Sequence, residues 1–390
     1  MRPNPGIDIE TDVVRALKAV LGEGLFSLHQ PCLAGNEKNY LAECVDSSFV
    51  SSVGKYVDQF EKDLARYTGA KYAVAVVNGT AALQTCLVVS GVRPGDEVLV
   101  PSLSFVATSN AVVHAGAIPH FVDVSERTLG VDPDALSQWL DWISEKTSEG
   151  LRNKVTGRRI SCLIPMHTFG HVCDLEALVK IAFDAGIMLV EDAAESLGST
   201  YQGQHAGTFG ICSALSFNGN KIVTTGGGGA LLTNDHSIAT HAKHLTTTAK
   251  VPHAWNYVHD EIGYNFRMPN INAALGCAQL EQIDKFLSNK RRLAKKYAEA
   301  FHRVPSAHWF AEPDGSASNY WLQTILLDKV ATGKKESLLM ALKESGYESR
   351  PVWTPNHLLF PYASCPKSPL GVTESLADRI VNIPSNVEIE

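Results

Sequence analysis

A chain of 390 residues, 45% hydrophobic and 19% charged, is long enough for one large and one small domain or two of ordinary size. A net charge of −7 argues against a nucleic-acid binder, and the densest basic cluster, Lys290-Arg291-Arg292 with Lys295-Lys296, falls on a helical pattern and reads as a solvated face. No apolar run approaches the roughly 20 residues of a spanning helix, Met1 to Glu10 is polar and carries no signal-peptide pattern, and the cysteines show no Cys-x-x-Cys spacing, so a cytoplasmic protein with reduced thiols and no metal site is expected.

In chain order, residues 8–22 carry Val13, Val14, Leu17, Val20 and Leu21 at helical spacing. Residues 24–54 read as irregular, and Tyr56–Tyr67 returns to helical period through Val57, Phe60 and Leu64. Alternation then begins. Strands are predicted at Tyr72–Val77, Glu97–Val100, Ile118–Val122, Ile160–Pro165 and Ile187–Val190, with helices at Thr80–Ser90, Ser104–Ala115, Pro133–Ser148 and Leu175–Ala185 between them. Strand–helix alternation predicts an α/β domain around a mostly parallel sheet. Ligands collect beyond the carboxyl ends of such strands, so Asn78, Ser102, His167 and Asp192 should face one crevice.

A long helical pattern follows over about Asn272 to Arg303, with a break expected near Leu287-Ser288-Asn289. After it come a strand-like Trp321–Leu327, a helix over Lys335–Ser345, an extended Tyr347–Trp353 and a helix over Thr373–Val381. The expected division is a large α/β domain over 1–260, including the N-terminal helical segment, and a linking helix plus small α+β domain over 261–390.

Two short stretches carry the chemistry. Asp192 follows the apolar run Ile187–Val190, and Lys221, twenty-nine positions later, follows Ala214–Phe217 and precedes the glycines 226–229. Singly, each has a plain reading: a capping or surface carboxylate, and a solvated turn lysine. Together they suit pyridoxal 5′-phosphate (PLP), whose aldehyde forms a Schiff base with a lysine amine and whose ring nitrogen stays protonated beside a carboxylate. Asn78-Gly79-Thr80 links a strand to a helix, where free amides and the positive dipole end suit a phosphate.

These motifs resemble the DegT/DnrJ/StrS group of PLP-dependent sugar aminotransferases, which have the fold-type I architecture. The resemblance runs through Val77–Leu83, Pro101–Thr108, Glu191–Glu195, Ser216–Lys221 and Gly263–Met268, and so covers nearly the whole chain. Leu28–Pro31, Gly35–Lys38 and Phe49–Lys55 resemble a narrower branch that includes enzymes of legionaminic acid type nonulosonate synthesis. The chain ends at Ile389-Glu390, where relatives usually continue with another helix; it is either naturally short or truncated.

The resemblance implies roles for named residues. Lys221 would bind the cofactor aldehyde and Asp192 its ring nitrogen. Gly79, Thr80 and Ser216 would cradle the phosphate, and Phe105 would lie over one face of the ring. Asn218 stands where many relatives have histidine, and Glu195 belongs to the periphery of the cofactor site. Asn265 would reach the cofactor phosphate of a partner subunit, giving a homodimer with shared active sites. His167 and Arg267 are substrate candidates, against plain readings as a hydrogen-bonded loop histidine and a salt-bridging arginine.

The implied reaction is a ping-pong transamination. Glutamate gives up its amine and leaves as 2-oxoglutarate, and a nucleotide-linked 4-keto-6-deoxy sugar takes the amine at C4, for nonulosonate or surface-glycan synthesis. The alternatives are a PLP-dependent sugar dehydratase, in which histidine replaces the lysine, and a non-catalytic regulatory protein on the same fold. A nicotinamide oxidoreductase lacks the Gly-x-Gly-x-x-Gly that would follow an early strand.

Overall fold

The computed structural model describes residues 8–387. The polar stretch before Asp8 and the terminal Ile389-Glu390 lie outside these residues. Seven strands form the main sheet: β1 (Tyr72–Val76), β2 (Glu97–Pro101), β3 (Ile118–Val122), β4 (Ile160–Leu163), β5 (Met188–Asp192), β6 (Cys212–Ser216) and β7 (Gly229–Thr233). Their order across the sheet is β1-β7-β6-β5-β4-β2-β3. β6, β5, β4, β2 and β3 pair in parallel, while β7 is antiparallel to both β6 and β1. β1 therefore runs with the parallel set, and the carboxyl ends of six strands share one edge.

Every residue of β2 and β7 is buried. This is the signature of a sheet covered on both faces, and it explains why the strands read as continuous apolar runs rather than alternating ones. The link from β6 to β7 spans 217–228 and carries Lys221. It returns the chain directly to the neighbouring position, which makes β7 antiparallel without a crossover helix.

Helices lie between the strands close to their expected bounds: Gly79–Val89, Val106–His114 and Leu175–Ala185. Their starts are fixed locally. Asn78 Oδ1 accepts the amide of Ala81 (2.8 Å) and Asp132 Oδ1 that of Ala135 (2.9 Å), with Pro133 in the first turn of the second helix.

Four expectations are corrected. The helix at Pro133 stops at Ile143, and Ser144–Thr147 pairs antiparallel with Gly150–Asn153. Leu136, Leu140 and Ile143 complete its buried face, and the next four residues offer no apolar side chain to extend it. The irregular 24–54 stretch contains a helix, Glu37–Asp46, that buries only Glu37 and Cys44. Polar bonds hold it: Gln279 and Gln282 donate to Glu37 at 2.6 and 2.8 Å, so no apolar period reveals it. The long helical pattern is two helices, Asn270–Leu280 and Ile283–Phe301, and the break falls at Glu281-Gln282, not at 287–289. The last expected helix covers only Gly371–Ala377, and Ile380–Ile383 is a fully buried strand. Its β-branched residues pack as the inner strand of a four-stranded antiparallel sheet, between Gln323–Leu327 and Arg350–Pro351.

The N-terminal helix Ile9–Leu21 buries Ile9, Val13 and Leu17 in a cluster with Leu293, Tyr297, Leu338 and Val381, so it packs with elements late in the chain. Lys290, expected on a solvated helix face, instead sits in the middle of Ile283–Phe301 and is fully buried. Its Nζ donates to the carbonyl of Trp321 (2.9 Å), to Ser385 Oγ (2.9 Å) and to the Ser385 carbonyl. Three acceptors surround this one amine, whose pKa burial pushes well below the ordinary lysine value. Replacing Lys290 by Met strips two buried carbonyls of this donor while keeping the volume, and is expected to lower stability by about 2–3 kcal/mol. The urea unfolding midpoint measures it; an unchanged midpoint would show that the bonds contribute nothing net.

Candidate active site

At the shared carboxyl edge of the parallel strands lies a cavity of about 320 Å³, lined among others by Gly79, Thr80, Asp192, Glu195, Ser216 and Lys221. Three strand ends supply it. β5 ends in Asp192, β6 ends in Ser216, and β1 leads into the helix that begins at Gly79. Parallel pairing sets Ala214 opposite Asp192, so the Lys221 loop leaves the sheet beside the carboxylate. Larger grooves elsewhere on the surface contain neither residue.

Asp192 is buried. Its Oδ2 accepts from Thr108 Oγ1 at 2.6 Å and its Oδ1 from the amide of Ala194 at 3.2 Å. Burial raises its pKa above the ordinary carboxyl value, although Thr108, Ala194 and the Lys221 charge pull the other way. Alternation along β5 turns the preceding Glu191 to the opposite face. There it accepts three amides, from Gly207, Phe209 and Gly210, each at 2.7 Å, and meets His167 Nε2 at 3.1 Å. Against the penalty of burial, His167 and these amides keep Glu191 below the ordinary carboxyl range.

Lys221 Nζ donates to Glu195 Oε1 at 3.2 Å and lies 3.7 Å from the centre of the Trp321 ring. The second oxygen of Glu195 accepts the Phe169 amide at 2.9 Å. Burial raises Glu195 as it does Asp192, opposed by Lys221 and by the Phe169 amide.

Gly79 and Thr80 lie in the first turn of an 11-residue helix, where amides have no intrahelical partner and the dipole is positive. A Cβ on Gly79 would stand 2.8 Å from Ser216 Cβ, so glycine is needed here to let the helix start approach β6. Phe105 is not inside its helix. It precedes Val106 with extended angles, is 48% exposed, and leans its ring towards Trp353 at 6.1 Å. Asn218 also lines the cavity and donates to Asn220 Oδ1 at 3.2 Å.

Three candidates lie apart from this group. His167 is buried behind β5: the amide of Cys173 donates to its Nδ1 at 3.3 Å, leaving Nε2–H to face Glu191. Arg267 bridges to Val76, and its buried Nε has no protein partner. Asn265 is exposed and pairs with Thr247. The site also involves residues not expected from the sequence, one behind the cavity and two in its wall. Thr108 holds Asp192, and Trp321 and Trp353 enter from the C-terminal part of the chain. No periodicity or spacing marks those two tryptophans.

The cavity fits PLP: an amine, a buried carboxylate and a helix N-terminus converge on it, and an aromatic ring stands exposed at its wall. Comparison with known proteins agrees. A family model described as the DegT/DnrJ/EryC1/StrS aminotransferase family matches residues 31–390. A GDP-perosamine synthase of Escherichia coli O157:H7 is 38% identical over 92% of this chain and 92% of its own length, and one of Caulobacter vibrioides is 35% identical over 92% and 93%. Among solved structures, the aminotransferase TlmJ from Streptoalloteichus hindustanus superposes with a TM-score of 0.83 at 27% identity, over 93% of this chain and 94% of that one.

The buried Asp192 carboxylate has a consequence for stability. A carboxyl whose pKa is raised in the fold costs stability above that folded pKa, and the cost disappears as pH falls through it to the unfolded pKa. Cofactor-free Asp192→Asn is therefore expected to be more stable than the parent at neutral pH. The advantage should shrink as pH drops into the carboxyl range. Thermal melting across pH reads this out, and a variant less stable at every pH would contradict it. The chain belongs to the DegT/DnrJ/EryC1/StrS aminotransferase family, has the fold-type I architecture, and uses pyridoxal 5′-phosphate as its cofactor.

Proposed function

We propose that the chain is a nucleotide-sugar 4-aminotransferase: it takes the amine of glutamate and delivers it to C4 of a nucleotide-linked 4-keto-6-deoxy sugar. The observation that carries this reading is the convergence of Lys221 and the buried Asp192 on one cavity. The named activity of the GDP-perosamine synthases supports a sugar substrate. The segments Leu28–Pro31, Gly35–Lys38 and Phe49–Lys55 favour the legionaminic acid type branch within it.

When bound, the cofactor supplies an aldehyde that takes up an amine and a ring that accepts electrons. Lys221 Nζ would hold that aldehyde between turnovers. Once free, it would take the proton from the α-carbon of the donor and later return one at sugar C4. Asp192, fixed by Thr108 and Ala194, would keep the ring nitrogen protonated. Gly79, Thr80, Ser216 and Asn218 would hold the phosphate, Phe105 would flank the ring, and Glu195 would orient Lys221. Lys221 itself favours transamination over dehydration, since the dehydratase reading requires histidine at this position. The retained Lys221, Asp192 and Ser216 disfavour a purely regulatory protein.

Residues 1–260 and 261–390 are proposed as the large and small units, with the N-terminal helix docked on the second. Cytoplasmic residence is part of the same reading. Among the described residues no helix is long and apolar enough to cross a membrane.

Lys221→Ala is expected to abolish turnover and remove the visible absorbance of lysine-bound cofactor. Near-parental turnover would refute the assignment. A panel of UDP- and GDP-linked 4-keto sugars with glutamate, followed by mass spectrometry of the products, tests the substrate; amination at a position other than C4 would count against the reading.

Asn265, exposed and outside the cavity of its own chain, is proposed to reach the cofactor phosphate of a partner subunit in a closed two-fold dimer. Lys221→Ala and Asn265→Ala chains, each poorly active alone, should then regain partial activity when mixed, because one site of the hybrid holds both intact residues. Subunit exchange without recovered activity would argue that sites are not shared.

A further inference from the structure

We propose that the indole face of Trp321 and the carboxylate of Glu195 form a seat for the Lys221 ammonium, occupied whenever this amine is not bonded to cofactor, and that Asn319 positions both walls of the seat. The inference rests on the assignment of Lys221 as the cofactor-binding lysine.

The geometry is that of a built site. Lys221 Nζ lies 3.7 Å from the Trp321 ring centre and 3.2 Å from Glu195 Oε1. A cation within about 6 Å of an indole face is attracted by the ring quadrupole, more strongly where water is excluded. Here the Trp321 and Glu195 residues are 5% exposed, and only 14% of the lysine side chain is. The carboxylate is a full charge and the ring is not, so the two walls act differently. Glu195 attracts and orients, while the ring covers a flank that would otherwise admit water or a second nucleophile.

Both walls are fixed from behind by one residue. Asn319 is buried, and its Nδ2 donates to the carbonyls of Glu195 (2.8 Å) and Leu197 (2.9 Å). Its Oδ1 accepts the amide of Trp321 at 2.8 Å, and its own amide donates to Ser199 Oγ at 2.9 Å. Space for the side chain comes from Gly170, at φ +97, where any Cβ would collide with Asn319 Oδ1. Trp321 is held at two further points. Its carbonyl accepts from Lys290, and its indole N–H donates to the carbonyl of Asn220 at 2.7 Å. Asn220 is the residue before Lys221, so the ring also sets the backbone from which the lysine projects.

Such a seat has a use in a two-stage amine transfer. Lys221 must leave the cofactor while the amine is carried, stay within reach, and return at the end. A long side chain left loose loses rotamer freedom on each return. A seat within the cavity removes much of that cost in advance.

The test uses the full-length chain loaded with pyridoxamine 5′-phosphate, which has no carbonyl and leaves the lysine unattached. Trace acylation with acetic anhydride, read by peptide mass spectrometry, compares Lys221 with exposed Lys71 in the same sample. In the parent, Lys221 should label more slowly than Lys71. Trp321→Leu and Asn319→Ala should raise the relative labelling of Lys221 roughly fivefold, while Trp321→Phe, which keeps an aromatic face, should stay within about twofold of the parent. An unchanged rate in Trp321→Leu, or equal acceleration in Leu and Phe, would overturn the proposal. If Trp321→Leu does not fold, the isosteric Glu195→Gln decides in its place: accelerated labelling supports the seat and an unchanged rate overturns it. Borohydride reduction of the PLP-loaded parent separately maps the cofactor-bound lysine. A label elsewhere would reject the assignment of Lys221, whereas the acylation result reports where this amine rests in either case.

Discussion

Burial of a carboxylate at the end of β5 is the constraint around which this site is arranged. A carboxylate out of water is costly unless it is bonded, and among the described residues Asp192 has only Thr108 and Ala194 as direct donors. Its neighbour Glu191 is equally buried but accepts three amides and faces His167. One strand thus carries two adjacent carboxylates pushed in opposite directions. Glu191 is a satisfied structural anion that pins the 207–210 loop, and Asp192 is an under-satisfied one that gains by meeting a cation. A protonated pyridine ring is such a cation, so the feature that weakens the empty fold suits the bound cofactor.

The sheet supplies the floor of the cavity and the C-terminal region part of its wall. Asp192, Ser216 and the Gly79 helix start come from parallel strands whose relative positions are set by backbone pairing, so they are placed rigidly. Trp321 and Trp353 come from outside that sheet. The position of Trp321 depends on polar links across the contact: Asn319 to Glu195, the Trp321 indole to Asn220, and Lys290 to the Trp321 carbonyl, whereas Trp353 rests against the rings of Phe105 and Phe169. Buried polar bonds contribute little net stability compared with apolar packing, but they are directional and fix one arrangement. That suits a wall whose task is to hold a ring beside an amine.

The parts of this design legible in the sequence are those where one residue type has few physical uses. A lysine before a glycine run and an aspartate ending an apolar strand constrain each other through cofactor chemistry, and the strand–helix alternation that places them is a strong period. Parallel strands buried on both faces announced themselves as apolar runs. Elements held by polar contacts did not. Glu37–Asp46 is fixed by Gln279 and Gln282, residues more than two hundred positions away, and Ile380–Ile383 follows a helix so closely that its β-branched run was read as the continuation. His167 was expected in the crevice with Asp192. Only the fold shows that its partner is Glu191, one residue earlier and therefore on the other face.

The same reasoning explains why the lysine loop tolerates its own strain of function. The proposed role requires Lys221 to move, yet the chain either side of it is fixed: Phe217 is bonded to Gly228 and Thr225 through backbone amides, and Asn272 donates to the carbonyls of Thr225 and Gly227. The loop is thus closed at its base and held at Asn220 by the Trp321 indole, so motion is confined to the four-carbon side chain rather than to the backbone. On the proposed assignment, a long flexible side chain on a pinned loop would reach two positions, cofactor and seat, without reorganising the sheet. Mobility is therefore localised in the one group whose chemistry needs it, and the carboxylates and helix start around it stay where backbone pairing puts them.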